Sequence, residues 1–213
     1  MTWLNWPNRI TVARIILVAP FVICLLNLNA GWSGWRYVAM AVFGVMALSD
    51  ALDGFLARRL HEETPVGRFL DPVGDKLLVA SALVLLSIDT TAVPGFVLPN
   101  WVPVVAVAKD VLTVVGFGLI YATVGEFFIK PRILGKACTL VQLLLVAYCL
   151  VAPDLAPLLQ GFLAPLYWLA SALAVAAAVD YVRVGSRFAT QRHAEGRTMT
   201  TQETTIRERT SDE

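Results

Sequence analysis

The chain has 213 residues, 57% of them apolar and 15% charged, with a mean hydropathy of +0.68. Soluble domains average about 25% charged and 45–50% apolar residues, so this composition excludes an ordinary water-soluble globule and points to an integral membrane protein. A net charge of +1 gives no electrostatic case for a nucleic-acid partner, and two histidines are too few for a histidine-built metal site.

Apolar runs near the ~20 residues that a membrane span needs fall at 10–28, 35–57, 70–92, 99–123, 133–153 and 160–184. They predict an all-α, integral membrane bundle of six transmembrane helices. The first run opens with WPNRITVARIIL, which places Asn8, Thr11 and Arg14 on roughly one helix face. That face reads either as a helix cap with a snorkelling arginine or as a polar contact. The run ends in Leu-Asn-Leu-Asn rather than in a small-residue cleavage site, so no cleavable signal peptide is expected. Turn-like breaks follow at Asn29 to Gly34, Glu62 to Pro65, Pro94 to Asn100 and Pro153 to Pro157. Residues 1–185 form the expected membrane domain. Residues 186–213 are polar, without apolar period, and are expected to be a disordered cytoplasmic tail. Cys24, Cys138 and Cys149 all lie in apolar runs and are expected to be buried thiols.

Basic residues set the expected orientation. Arg9 and Arg14, then Arg58, Arg59, Arg68 and Lys76, then Lys130, Arg132 and Lys136, then Arg183, Arg187, Arg192 and Arg197 gather at one membrane face, while the opposite loops carry only Arg36. Both termini are expected to be cytoplasmic, in what reads as a bacterial inner membrane.

The segment SDALDGFLARRLHEETPVGRFLDPVGDK puts four carboxylates where lipid disfavours them. A charge at the centre of a span costs at least about 2.5–3.5 kcal/mol on insertion scales, so a compensating partner is required. Asp50 and Asp53 are spaced i, i+3 at the end of span two, and Asp71 and Asp75 are spaced i, i+4 at the start of span three. Each pair shares one helix face, and a short turn makes the two helices antiparallel neighbours. Oxygen ligands of this kind suit Mg²⁺ or Mn²⁺, and two such ions clamp a displacement at phosphorus. Gly54, Ala57 and Gly67 leave room for a close approach to the backbone, and Arg58 suits bidentate phosphate binding. Pro72 is expected in a first helical turn. Two other readings use the same residues: a structural ion-pair network (Asp53 with Arg58, Asp75 with Lys76 or Arg68), and a divalent-metal transporter. Acids concentrated at one membrane face favour a reaction site over a through-path.

The pattern D-x-x-D-G-x-x-A-R followed by G-x-x-x-D-x-x-x-D resembles the signature of the CDP-alcohol phosphatidyltransferase family. Asp50, Asp53, Gly54, Ala57, Arg58, Gly67, Asp71 and Asp75 fill every fixed position. The resemblance runs from about residue 4 to 186. It implies a six-helix transmembrane fold, often dimeric, with two metal ions, CDP-diacylglycerol as donor and CMP as leaving group. It implies that Asp50, Asp53 and Asp71 are metal ligands and that Asp75 is a ligand or the general base. The opening P-N-x-x-T-x-x-R resembles that of the family's phospholipid synthases and implies that Asn8 and Thr11 lie near the donor.

The acceptor is read from the cations. Lys109 and Asp110 lie within span four; as adjacent residues they are not expected to pair with each other. Lys109 is expected to bind the acceptor or to pair with another span. Lys130, Arg132 and Lys136 form an inside-positive loop or bind an anionic headgroup. The stretch from Gly135 to Gln142 resembles the G-K-x-K-T-x-x-Q of phosphatidylglycerophosphate synthases, with Cys138 in place of the second lysine, and Phe117 stands where many of them carry an arginine. It also resembles the S-K-x-N-T-x-x-Q of CMP-forming cardiolipin synthases. Glycerol 3-phosphate is the expected acceptor, with phosphatidylglycerol as the alternative.

Overall fold

The computed structural model describes residues 6–60, 65–124, 133–155, 157 and 161–183. Among them there is no strand. Helix α1 spans Trp6–Leu26, α2 Gly34–Leu60, α3 Pro65–Leu86, α4 Trp101–Val124, α5 Ile133–Val151 and α6 Leu163–Arg183, with a short 3₁₀ turn, Ala152–Asp154, closing α5. At 1.5 Å per residue, the 21 residues of α1 extend about 31 Å, close to the thickness of a bilayer core. The helix containing α5 (Ile133–Asp154) and α6 are apolar enough throughout to cross a membrane. The sequence placed the helices to within a few residues.

Two boundaries differ from expectation. Span three ends at Leu86, not near residue 92. The cause is local: the Ser87 hydroxyl donates to the Val84 carbonyl at 2.7 Å and the Thr91 hydroxyl to the Leu85 carbonyl at 2.6 Å. These side chains satisfy the last carbonyls and stop the helix. At the other end, α3 starts at Pro65. Pro65 therefore takes the first helical position, where a missing N–H is harmless, and Pro72 lies well inside the helix rather than in its first turn.

The core lies where α1, α2, α3 and α5 meet. Phe21 and Leu25 of α1, Ala39, Phe43 and Met46 of α2, and Leu83 and Leu86 of α3 are buried together with Leu145 and Val146 of α5. Phe21 and Phe43 meet with ring centroids 5.8 Å apart. Helix α1 packs against both α2 and α3, and α3 packs against α4 and α5. Helix α5 buries Cys138, Gln142, Leu145, Cys149 and Leu150 along one face, a helical spacing. Helix α6 offers a buried stripe of small residues, Ala170, Ala174 and Ala177. Small residues let helices approach closely, which replaces the hydrophobic drive that lipid removes. The three cysteines are free and buried, as expected.

The end of the bundle away from the aspartates is tied by polar contacts. Gly31 turns the chain with a φ of 84°, which favours glycine. Nearby, the Asn29 amide donates to the carbonyls of Thr90 and Ala92, linking the α1–α2 turn to the α3–α4 loop. Trp32 and Trp35 pack edge-to-face, and Trp101 packs on Tyr167 and Trp168. The starts of α4 and α6 therefore lie together at this end. Arg36 donates to the Leu150 carbonyl at 2.8 Å and to Asp154 at 2.7 Å, pinning α2 to the end of α5. Arg36→Ala should cost about 1–3 kcal/mol of stability, because it takes the donor from the Leu150 carbonyl, while Asp154 keeps the Tyr37 hydroxyl. Asp154→Ala should cost less, since that carboxylate is 41% exposed. Thermal unfolding in detergent checks the order.

Candidate functional site

The signature residues fall on two consecutive helices. Asp50, Asp53, Gly54, Ala57 and Arg58 lie in the C-terminal part of α2, and Gly67, Asp71 and Asp75 in the N-terminal half of α3. Residues 61–64, between them, lie outside the described residues. Only four residues separate the end of α2 from the start of α3, so both segments sit at the same end of the bundle, each on a helix that packs against α1. Asn8 and Thr11 lie at the start of α1, at that same end.

Gly74 gives α3 its close seat on α1. It is buried, and a methyl group there would meet Ile15 Cγ1 of α1 at 3.4 Å. This contact comes one residue before Asp75.

On the other side of α3 lies a polar network whose side chains are well defined. Lys76 Nζ is 3.3 Å from Asp110 Oδ1, joining α3 to α4. The same oxygen is 3.0 Å from Lys109 Nζ. The adjacent pair thus does interact, against the expectation from helix spacing. The long lysine stem curls back to its neighbour, which a rule based on Cβ positions does not cover. Lys109 is buried and also lies 3.7 Å from Cys138 Sγ of α5. The network therefore runs Lys76–Asp110–Lys109–Cys138 across three helices. Lys76 pairs with Asp110; an Asp75–Lys76 pair, one structural reading of the sequence, falls on a side chain outside those described. Asp110 and Lys76 were missed as partners because nothing in local spacing signals a contact between α3 and α4.

Lys136 is exposed at the start of α5, one turn from Thr139, whose hydroxyl donates to the Gly135 carbonyl. Lys130 and Arg132 lie outside the described residues, as does the tail 186–213. Among the described side chains, no group of three His, Cys, Asp or Glu is arranged to hold a metal. The four signature aspartates offer a candidate donor set. Its chemistry, hard and anionic oxygen, fits Mg²⁺ or Mn²⁺.

The family model described as CDP-alcohol phosphatidyltransferase matches residues 4–182, which covers α1 to α6 almost completely. The chain belongs to the CDP-alcohol phosphatidyltransferase family. Similar proteins include "CDP-diacylglycerol--glycerol-3-phosphate 3-phosphatidyltransferase" of Bacillus subtilis, 34% identical over 69% of this chain and 77% of that protein. Proteins of the same name from Pseudomonas fluorescens and Escherichia coli K12 are 54% and 46% identical, each over 83 residues. Those two matches cover 39% of this chain and 41% and 44% of the relatives' own lengths. As a CDP-alcohol phosphatidyltransferase family member, the chain is a membrane protein, which accords with its composition and its apolar helices.

Proposed function

We propose that this chain transfers a phosphatidyl group from CDP-diacylglycerol to glycerol 3-phosphate and releases CMP. The observation that carries the reading is the complete signature, Asp50 to Asp75, on two helices that return to one end of the bundle. The acceptor is supported by the names of the relatives, all glycerol-3-phosphate phosphatidyltransferases. The full reading has six spans, both termini on the cytoplasmic side, the reaction site near that face, and a homodimer in the membrane.

Asp50, Asp53, Asp71 and Asp75 would hold two Mg²⁺ or Mn²⁺ ions, which when bound supply charge neutralisation at the donor pyrophosphate. Arg58 binds a donor phosphate, and Gly54, Ala57 and Gly67 leave space beside the helix backbones for the nucleotide. Asn8 and Thr11 add polar contacts to the donor from α1. Asp75 accepts the proton of the acceptor hydroxyl as its oxygen bonds to the lipid-side phosphorus. The bond from that phosphorus to the bridging oxygen breaks, and its electron pair leaves with CMP. Lys109, Lys130, Arg132 and Lys136 bind the acceptor phosphate. Among the described residues, Lys109 uses two of its three N–H donors, on Asp110 and Cys138, leaving one for a ligand.

An acceptor panel tests the substrate. Purified protein given CDP-diacylglycerol and Mg²⁺ should release CMP with glycerol 3-phosphate and not with serine or inositol phosphate. Release with phosphatidylglycerol, and none with glycerol 3-phosphate, would replace this reading with a cardiolipin synthase.

A further inference from the structure

The stretch of α3 around Asp75 is held from two sides. On one side Gly74 is buried against Ile15 of α1, where a methyl group would come within 3.4 Å of Ile15 Cγ1. On the other, Lys76 pairs with Asp110 of α4 at 3.3 Å. The two contacts are separated by two residues, about 200° around a helix, so they grip opposite sides of α3. Together they set its rotation at residues 71 to 75. Asp110 itself is only 16% exposed in its side chain, and the oxygen that takes Lys76 also takes Lys109. Lys109 is 7% exposed in its side chain and is backed by Cys138 of α5, while the Thr113 hydroxyl donates to the Lys109 carbonyl at 2.8 Å. The carboxylate is therefore fixed in place before it meets α3. The apolar contact of Gly74 with Ile15 is non-directional and does not by itself fix the roll of α3. A directional ion pair in a poorly solvated site does not.

We propose that Asp110 is a positioning residue for the metal site: through Lys76 it fixes the rotational setting of α3 that Asp71 and Asp75 need to bind divalent ions. This rests on the reading of those aspartates as metal ligands. In this role Asp110 acts through Lys76 and not on metal or substrate directly. Its second partner, Lys109, keeps it from following Lys76 if α3 turns.

The test uses the full chain in detergent micelles, with Mn²⁺ binding followed by loss of the free-ion electron paramagnetic resonance signal. Asp110→Asn should weaken Mn²⁺ binding at least tenfold and raise the Mn²⁺ concentration for half-maximal CMP release in parallel. KM for glycerol 3-phosphate should rise as well in this variant, because Asp110 also holds Lys109, but should stay within threefold in Lys76→Met. Lys76→Met should shift Mn²⁺ binding in the same direction, and Asp110→Glu should stay within threefold of the parent protein. Should Asp110→Asn not fold, Lys76→Met and Asp110→Glu carry the comparison. Unchanged Mn²⁺ binding in Asp110→Asn or Lys76→Met, or a rise confined to the acceptor KM, overturns the proposal. The outcome is separable from the functional reading: parent protein that binds Mn²⁺ but releases no CMP with any acceptor defeats the transferase assignment alone.

Discussion

Asp75→Asn should lower CMP release from CDP-diacylglycerol and glycerol 3-phosphate by at least about a hundredfold. A positioned general base contributes typically about 10²–10⁴-fold, and an amide cannot take the hydroxyl proton. The substitution keeps the shape of the side chain, so α3 should still fold against α1 at Gly74. Binding of radiolabelled CDP-diacylglycerol should survive in large part, because the other three aspartates and Arg58 remain. A loss in kcat with little change in donor affinity is thus the expected signature. Turnover near that of the parent protein would remove Asp75 from the role of base.

The second large effect is expected at the acceptor. Lys109→Met should raise KM for glycerol 3-phosphate about tenfold to a hundredfold. A hydrogen bond to a charged group is worth about 1.5–3 kcal/mol, and each 1.4 kcal/mol is a factor of ten. Methionine preserves much of the buried stem, so packing against α5 changes little. Lys109→Arg should recover most of the affinity. The comparison also separates two neighbours in one network. Lys109 variants should move the acceptor KM, and Lys76 variants the metal dependence. Equal KM values for parent protein and Lys109→Met would assign Lys109 to the Asp110 ion pair alone.

What could be read from the sequence, and what could not, follows from the range of each interaction. Apolar runs marked the six long helices found among the described residues, since an apolar run is a property of consecutive residues. The signature was legible for the same reason: its eight fixed positions lie within one short stretch, Asp50 to Asp75. The end of α3 was not, because Ser87 and Thr91 stop the helix by bonding carbonyls that an apolar-run count does not see. The start of α3 was misplaced by reading Pro72 as the helix opener when Pro65 holds that position. Lys109 and Asp110 were read as unable to pair, from a rule about Cβ directions that a flexible lysine escapes. Their link to Lys76 and Cys138 joins three helices, and no spacing within any one of them encodes it. The tertiary network beside Asp75 is thus the part of the site that only the packed helices bring into view.

The central claim is phosphatidyl transfer with release of CMP. It is tested most directly in sealed vesicles containing the purified chain, CDP-diacylglycerol, glycerol 3-phosphate and Mn²⁺, with CMP and lipid product measured together. One CMP should appear per phosphatidylglycerophosphate formed, with both abolished by EDTA. Movement of Mn²⁺ across the vesicle membrane with no CMP and no new lipid would contradict it and leave the aspartates as part of a metal path.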